Sequence, residues 1–167
     1  EGISRDQYLT TKFGSPDRYK EIAQRVSAAA AQDGLTYAID KVSRQPNTTD
    51  SHRLIHWAAA IGKAPQMKQR LMELYFSEGA DLSDKNVLVK AAADIGLDPK
   101  ETADKLDSDT DLALVSQQVD QAKSAGIQGV PFFIFDNAYA VSGAQAAEQL
   151  ADVIRKVAEE RQQKAAS

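Results

Sequence analysis

Apolar residues recur every three or four positions along most of this chain, and that spacing is typical of amphipathic helices. Ser15 with Pro16 and Asp17 marks a helix start and Gly34 marks its end, so a helix is predicted over 16 to 32. Similar signals predict helices at about 48 to 62, 65 to 79, 83 to 96, from 99, at 112 to 126 and from 144. The chain is therefore predicted to be mostly helical.

Two of these helices carry specific expectations about capping and burial. Thr48, after Asn47, is predicted to cap the helix that carries Leu54, Ala58 and Ile61 on one face. The last helix, from about 144, is predicted to bury Leu150, Val153, Ile154 and Val157. The run from 35 to 42 alternates, but it is too short to be told from a loop.

One segment carries a sheet signal. Phe132 to Phe135 and Tyr139 to Val141 are short runs rich in aromatic and β-branched residues, and the turn-forming Asp136-Asn137 pair separates them, which predicts a β-hairpin. Pro131 opens the first strand, where a missing N–H disturbs no ladder. A cis bond before it would leave the backbone of Val130 free to pair outside the sheet. Because two strands are too few for a stable sheet, a further strand is expected to pack on this hairpin.

Composition narrows the class of protein and partner. With 167 residues, 43% hydrophobic and 26% charged, the chain has the make-up of one or two globular domains. Its formal net charge of -4 and the lack of a basic cluster argue against nucleic-acid binding. No stretch is apolar enough for a membrane span. Partners are therefore expected to be proteins or small molecules.

The sequence contains no cysteine. Disulfide staples and a thiolate nucleophile are therefore excluded for these residues. This composition is compatible with a reducing compartment, and a cytoplasmic location is favoured over a periplasmic one.

Four groups of motifs resemble one family, in the same order along the chain. They are KFGS at 12 to 15, PNT followed by HRLI between 46 and 55, YFSEGADLSD at 75 to 84, and GIQGVPFFIF at 126 to 135 followed by YAVSGAQ at 139 to 145. From about residue 2 to about residue 155 the chain resembles the DsbA-like thioredoxin-fold family and its FrnE-type branch. That branch is related to the 2-hydroxychromene-2-carboxylate isomerases and the kappa-class glutathione transferases.

The resemblance implies an α/β class, mostly helical here, with an incomplete thioredoxin-like fold, a helical insertion domain, a C-terminal β-hairpin and a final helix. Residues 1–15 would be a connector, 16–110 the insertion domain, 111–160 the C-terminal part of the thioredoxin-like domain and 161–167 a tail. In the family a Cys-x-x-C pair in an N-terminal βαβ unit faces the cis-proline loop. Because this sequence has no cysteine, we expect the chain to lack that segment.

The resemblance implies a thiol–disulfide oxidoreductase acting on protein thiols or disulfides, with no catalytic residue in this chain and no cofactor. Gly129, Val130 and Pro131 would then bind substrate, with the Val130 backbone pairing with it. One alternative is a glutathione-dependent isomerase or transferase, in which serine replaces the nucleophilic cysteine and glutathione is bound. Another is a helical interaction module without chemistry.

Six further residues are candidate ligand contacts. Asn47, Thr48, His52 and Arg53 match an Asn-Thr and His-Arg pattern of the same branch and its glutathione-using relatives, although Asn47 and Thr48 are also an ordinary helix cap. Ser142-Gly143 reads either as the N-cap of the last helix or as an anion contact at that helix start. The aromatic residues best interpreted as core are Trp57, Phe132, Phe133 and Phe135.

No metal site is predicted. His52 and His56 have the i, i+4 spacing of two metal ligands, but Arg53 stands where a zincin has glutamate and no third ligand is evident. The calcium-loop pattern is also absent from the aspartates between 81 and 111, which read as helix caps.

The hairpin predicts self-association. If the first strand has lost its inner neighbour, its edge is apolar and carries no blocking charge. A homo-oligomer joined through this edge is therefore expected, with Pro131 guarding only its first residue.

Overall fold

The structure is a computed structural model that describes residues 2 to 165, with the backbone alone at 16, 17 and 39. Residue 1, predicted to begin a connector, and residues 166 and 167 of the predicted tail lie outside the described residues. The chain divides into two compact units, Glu1–Ser116 and Gln117–Ser167. Each has its own architecture.

The first unit is helical with one very small sheet. Its helices and strands are, in order, β1 (Ile3–Ser4), α1 (Arg5–Phe13), α2 (Pro16–Gln32), a 3₁₀ turn (Ile39–Lys41), β2 (Arg44–Gln45), α3 (Thr49–Ala59), α4 (Ala64–Met72), a π-helix (Glu73–Glu78), α5 (Lys85–Asp94), α6 (Pro99–Leu106) and the start of α7 (Leu112–Ser124). Strands β1 and β2 pair antiparallel, with Ile3 opposite Gln45. The helix predicted over 16 to 32 is confirmed, and Ser15 caps it by accepting a hydrogen bond from the Arg18 amide.

The core of this unit is an apolar cluster that α3, α4, the π-helix and α5 build together. Its largest side chains without solvent contact are Leu54, Met67 and Leu88. Trp57 is buried, as predicted for a core residue. Each buried side chain of this size contributes about 1.5 to 3 kcal/mol of transfer free energy to folding, which is why these helices hold together.

Three expectations about the first unit are wrong. Thr48 stands at the N-cap of α3, but its side chain makes no capping bond; Asn47 accepts from the Thr49 amide at 3.0 Å instead. Ile61 is half exposed because α3 ends two residues before it. The helix expected from 83 begins at Lys85, since Asp84 supplies the cap by accepting from the Asn86 amide.

The second unit contains the hairpin and the last helix. Strand β3 (Phe132–Phe135) pairs antiparallel with β4 (Tyr139–Ser142), and α8 (Ala147–Ala165) follows. Asp136 and Asn137 both have positive φ, and the Ala138 amide donates to the Phe135 carbonyl at 3.1 Å. This is the tight turn that matches strand twist in a hairpin, so the predicted turn is confirmed.

The last helix differs from its prediction in start and burial. It begins at Ala147, and the Leu150 amide donates to the Ala146 carbonyl, which opens the helix three residues later than expected. None of its described residues is buried, and Ile154 is 52% exposed. Phe132, Phe133 and Phe135 are half-buried rather than core, because the described residues cover the hairpin only partly.

Of the helices in the described part of the chain, none combines the length and the apolar character needed to cross a membrane.

Candidate functional site

The hairpin of the second unit begins with an exposed loop. Val130 is 89% exposed, and the peptide bond between Val130 and Pro131 is cis. The Pro131 carbonyl accepts a hydrogen bond from the Gly143 amide at 2.9 Å, which extends the ladder one pair beyond β3 and β4. Pro131 is thereby fixed to the sheet, whereas Val130 projects beyond it.

The hydrogen-bond register assigns an outer edge to β3. In an antiparallel ladder, hydrogen-bonded and non-hydrogen-bonded pairs alternate. Since Pro131 bonds Gly143, the main-chain groups of Phe133 and Phe135 also face β4, and those of Phe132 and Ile134 face away from it. Among residues 2 to 165, β4 is the strand that pairs with β3. Within the described residues, Phe132 and Ile134 therefore present main-chain N–H and C=O groups at an unpaired edge, and the exposed Val130 lies just before them in the chain.

An apolar groove lies between β3 and α8. It has a volume of about 350 Å³, with Ile134 and Phe135 on the strand and Ile154 and Val157 on α8 among its lining residues. Ile134 is 56% exposed, so it belongs both to the free edge and to the groove.

Polar contacts hold α8 on the hairpin. The Tyr139 hydroxyl donates to the Glu160 carboxylate, and Arg161 forms an ion pair with Asp136 at 3.9 Å. The hydrogen bond to Glu160, more than desolvation, raises the pKa of Tyr139. The rings of Phe133 and Phe135 stack at 6.4 Å on one face of the strand. These contacts fix the groove walls without using the free edge.

Ser142 and Gly143 lie next to the exposed loop, but they do not begin the last helix. Ser142 is the final residue of β4 and pairs with Phe132, and Gly143 has a φ of 84°. Helix α8 starts four residues after Gly143, at Ala147. Ser142 is therefore not its N-cap, and the predicted anion contact at a helix start has no such geometry here. The correction follows from the strand register, which continues to Ser142.

The other candidates lie around the start of α3. Asn47 and Thr48 are exposed, and so are His52 and His56. The Asn47 carboxamide also accepts from the Thr49 hydroxyl at 2.7 Å, so its oxygen is occupied in capping. No cluster of three metal-ligating side chains occurs in the described part of the chain, and no third ligand joins His52 and His56.

Arg53 was a candidate ligand contact, and the structure buries it to 1% exposure. Its guanidinium donates to the carbonyls of Lys105, Ser108 and Thr110 and pairs with Asp50 at 2.8 Å. It also lies over the Trp57 ring, 5.0 Å from the centroid. These contacts tie α3 to the end of α6, and Arg53 does not face a ligand. The prediction failed because the carbonyls that bury it come from more than fifty positions away.

Sequence reasoning missed the groove and the outward register of β3. The aromatic and β-branched residues of Phe132 to Phe135 predicted a strand, but which edge is free depends on the Pro131–Gly143 bond. The groove needs α8 to lie on the hairpin through Tyr139 and Glu160, two residues that are 21 positions apart. Neither feature has a local pattern.

Comparisons with known proteins agree with the resemblance. The DSBA-like thioredoxin domain family matches residues 2–155, the same range that the motifs predicted. The chain is 30% identical to a probable DsbA oxidoreductase from Streptomyces coelicolor, whose crystal structure matches with a TM-score of 0.85. That match covers 96% of this chain and 69% of the other. None of the curated proteins matches.

The predicted class, α/β and mostly helical with a hairpin and a final helix, is confirmed by these matches and by the observed elements. The family carries oxidoreductases, and the chain contains no cysteine. Because the family model matches residues 2–155, the chain belongs to the DSBA-like thioredoxin domain family.

Proposed function

We propose that this chain is the substrate-docking and helical part of a thiol–disulfide oxidoreductase of the FrnE-type branch. The observation that carries the proposal is the exposed Val130, which lies just before the free edge of β3 in a member of the DSBA-like family. An extended substrate segment pairs with such an edge through main-chain hydrogen bonds, which give affinity without demanding one sequence.

The exchange chemistry needs a thiolate that these residues do not contain. On this proposal a Cys-x-x-C pair lies outside these 167 residues and faces the Val130 loop. Its first thiolate attacks one sulfur of the substrate disulfide, which forms a mixed disulfide and releases the other substrate sulfur as a thiolate. The second thiolate then attacks the first cysteine's sulfur, so the pair is oxidised to a disulfide and the reduced substrate leaves as a dithiol; the reverse sequence oxidises a substrate dithiol. One observation supports this division: the match covers 69% of the Streptomyces coelicolor chain.

The role of this chain in that sequence is positioning. Val130 offers one N–H and one C=O to a strand-like substrate, and Pro131 is anchored by Gly143. A substrate held in this way has its sulfur fixed relative to the loop before exchange begins. Positioning of that kind lowers the entropic part of the barrier.

The glutathione-dependent alternative is not put forward as a second function. It relied on Arg53 as a ligand contact and on Ser142 at a helix start. Arg53 is buried in four hydrogen bonds, and Ser142 ends a strand. Neither position offers glutathione the contact expected of it.

The proposal is tested by measuring peptide binding and not catalytic turnover. A short, fluorescein-labelled apolar peptide with an alkylated central cysteine is titrated against the chain, and fluorescence anisotropy reports binding. Val130→Pro removes the N–H donor and is expected to weaken binding about threefold to tenfold, the worth of one net hydrogen bond. Val130→Thr keeps the donor and is expected to bind like the parent protein.

The hairpin amide signals of Phe133 and Val141 must be unchanged in Val130→Pro for the comparison to count. If those signals change, an ester in place of the backbone amide at Val130 removes the same N–H donor without adding a proline ring. Equal affinity in all variants, or no saturable binding by the parent chain, would overturn the proposal.

A further inference from the structure

Arg5 lies in the first unit, among side chains from several elements. Its Nη1 donates to the Gln45 carboxamide at 2.5 Å and to the Tyr75 hydroxyl at 3.3 Å, and its Nη2 donates to the Tyr19 hydroxyl at 2.7 Å. Tyr75 also donates to Gln45, at 3.1 Å. The guanidinium is thus held in place by neutral groups from α2, β2 and the π-helix.

The charge of Arg5 has no carboxylate against it in the part of the chain that the structure describes. The ion pairs of this unit use other cations, such as Arg44 with Asp81 at 3.5 Å and Arg70 with Glu78 at 2.6 Å. A half-buried cation is costly unless an anion accompanies it, because neutral acceptors recover only part of its lost hydration. A bound anion would therefore stabilise the Arg5 guanidinium.

One donor of Arg5 is also unsatisfied. Its Nε is buried and has no hydrogen-bond partner within the described residues. Nη2 has a second N–H beyond the one that Tyr19 accepts. Nε and Nη2 are neighbouring nitrogens of one planar fork, which suits the two oxygens of a carboxylate or phosphate. An orphaned buried donor in a folded protein calls for a missing partner.

Tyr37 and Tyr75 remain protonated at neutral pH. Burial is the main reason that the pKa of Tyr37 rises to about 12, and a contact with Tyr19 adds to it. Burial likewise raises the pKa of Tyr75. Neither hydroxyl can therefore supply the anion that Arg5 lacks. Tyr75 lies in the π-helix, a distortion that is frequent at functional sites.

Access to Nε runs past an aromatic ring. The rings of Tyr19 and Tyr8 lie 5.0 and 5.6 Å from the guanidinium carbon. Tyr19 is fixed by its bond to Arg5, whereas the Tyr8 hydroxyl accepts from the exposed Lys12 at 2.8 Å. The Lys12 ammonium lies 5.3 Å from the centroid of the same Tyr8 ring.

We propose that Arg5, with Tyr19, Gln45 and Tyr75 fixing its orientation, is a binding site for a small oxyanion of the carboxylate or phosphate type. This site is independent of the Val130 loop and of the disulfide-exchange proposal. Its ligand needs two oxygens on one atom and a negative charge.

The test follows the Arg5 Nε–H signal in ¹⁵N-labelled protein. Sodium phosphate and sodium acetate are titrated separately at constant ionic strength, with chloride as the reference anion. One arginine Nε–H resonance is expected to shift saturably, and it is assigned to Arg5 by its loss in Arg5→Lys. Thermal stabilisation by the same anion is expected to fall about tenfold in apparent affinity in Arg5→Lys, which keeps the charge but loses the fork.

Arg25→Lys is the matched control, because Arg25 is an exposed arginine of α2 and should leave the saturable shift unchanged. Tyr19→Phe keeps the ring and removes the orienting hydroxyl, so it is expected to weaken binding and gives a second readout if Arg5→Lys folds poorly. A linear, unsaturated shift with both anions in the parent protein overturns the site. So does an equal response of the Arg25 signal.

Discussion

Replacing Arg53 with methionine is expected to destabilise the first unit strongly, because the side chain is a structural clamp and not a ligand contact. Arg53 is 1% exposed and donates to three carbonyls between Lys105 and Thr110 at 2.5 to 2.8 Å, besides its pair with Asp50. Methionine approximates the volume of the stem but satisfies none of these acceptors. The Trp57 ring would also lose its cation.

The expected loss in the free energy of unfolding follows from the polar groups that lose their partner but stay buried. Removing one member of a buried charged network costs about 3 to 5 kcal/mol, since the remaining polar groups stay desolvated. Asp50 is 34% exposed, so water partly replaces its partner and the lower half of this range is expected. Arg53→Lys keeps a cation near the end of α6 and should recover part of the loss.

Urea unfolding followed by tryptophan fluorescence measures this effect directly. Trp57 is the single tryptophan, and its Nε1 donates to Asp111 beside the clamp. With a slope of about 1 to 3 kcal/mol per molar urea, the expected loss lowers the midpoint by about 1 M or more. Arg25→Met, at an exposed arginine, should change the free energy of unfolding by less than about 0.5 kcal/mol. A loss below about 1 kcal/mol in Arg53→Met would refute the clamp.

Three further predictions concern capping, pH and association. Asn47→Ala should cost about 1 kcal/mol in urea unfolding and Thr48→Ala almost nothing, because Asn47 alone accepts from the Thr49 amide; the reverse order would contradict the assignment. Burial raises the pKa of Tyr37 to about 12, above the unfolded value of 10.0, so its stabilising effect is complete below pH 10 and is lost as the pH rises towards 12. The urea midpoint should therefore fall less over that range in Tyr37→Phe than in the parent, and equal falls would argue against the shift. We also propose that the free edge of β3 pairs with a second copy, so light scattering should show Ile134→Lys as more monomeric than Val119→Lys across a concentration series.

Much of the fold could be predicted from local signals in the sequence. The bounds of α2 follow from Ser15 and from the glycine at 34, and the hairpin turn follows from Asp136-Asn137, since these residues act on their own backbone. Strands β1 and β2 could not be read in the same way. Each has two residues, and the Ile3–Gln45 pair joins positions 42 apart.

The candidate site likewise contains residues that local sequence signals identified and residues that they misassigned. Val130 and Pro131 were recognisable because a proline at a strand start has few structural meanings. Arg53 was misplaced because burial of an arginine is decided by distant carbonyls, which no local pattern contains. Ser142 was misassigned because serine suits both a strand end and a helix cap, and the register with Phe132 decides between them.

The most direct test of the account locates the bound peptide on the chain. Amide shifts of ¹⁵N-labelled protein are recorded with the alkylated-cysteine peptide, together with intermolecular contacts to main-chain hydrogens. We expect the largest changes at the exposed Val130 and at Phe132 and Ile134, whose N–H groups face away from β4, and smaller changes at Phe133. Changes centred on Asn47 and His52, or spread evenly over both edges of the hairpin, would contradict it.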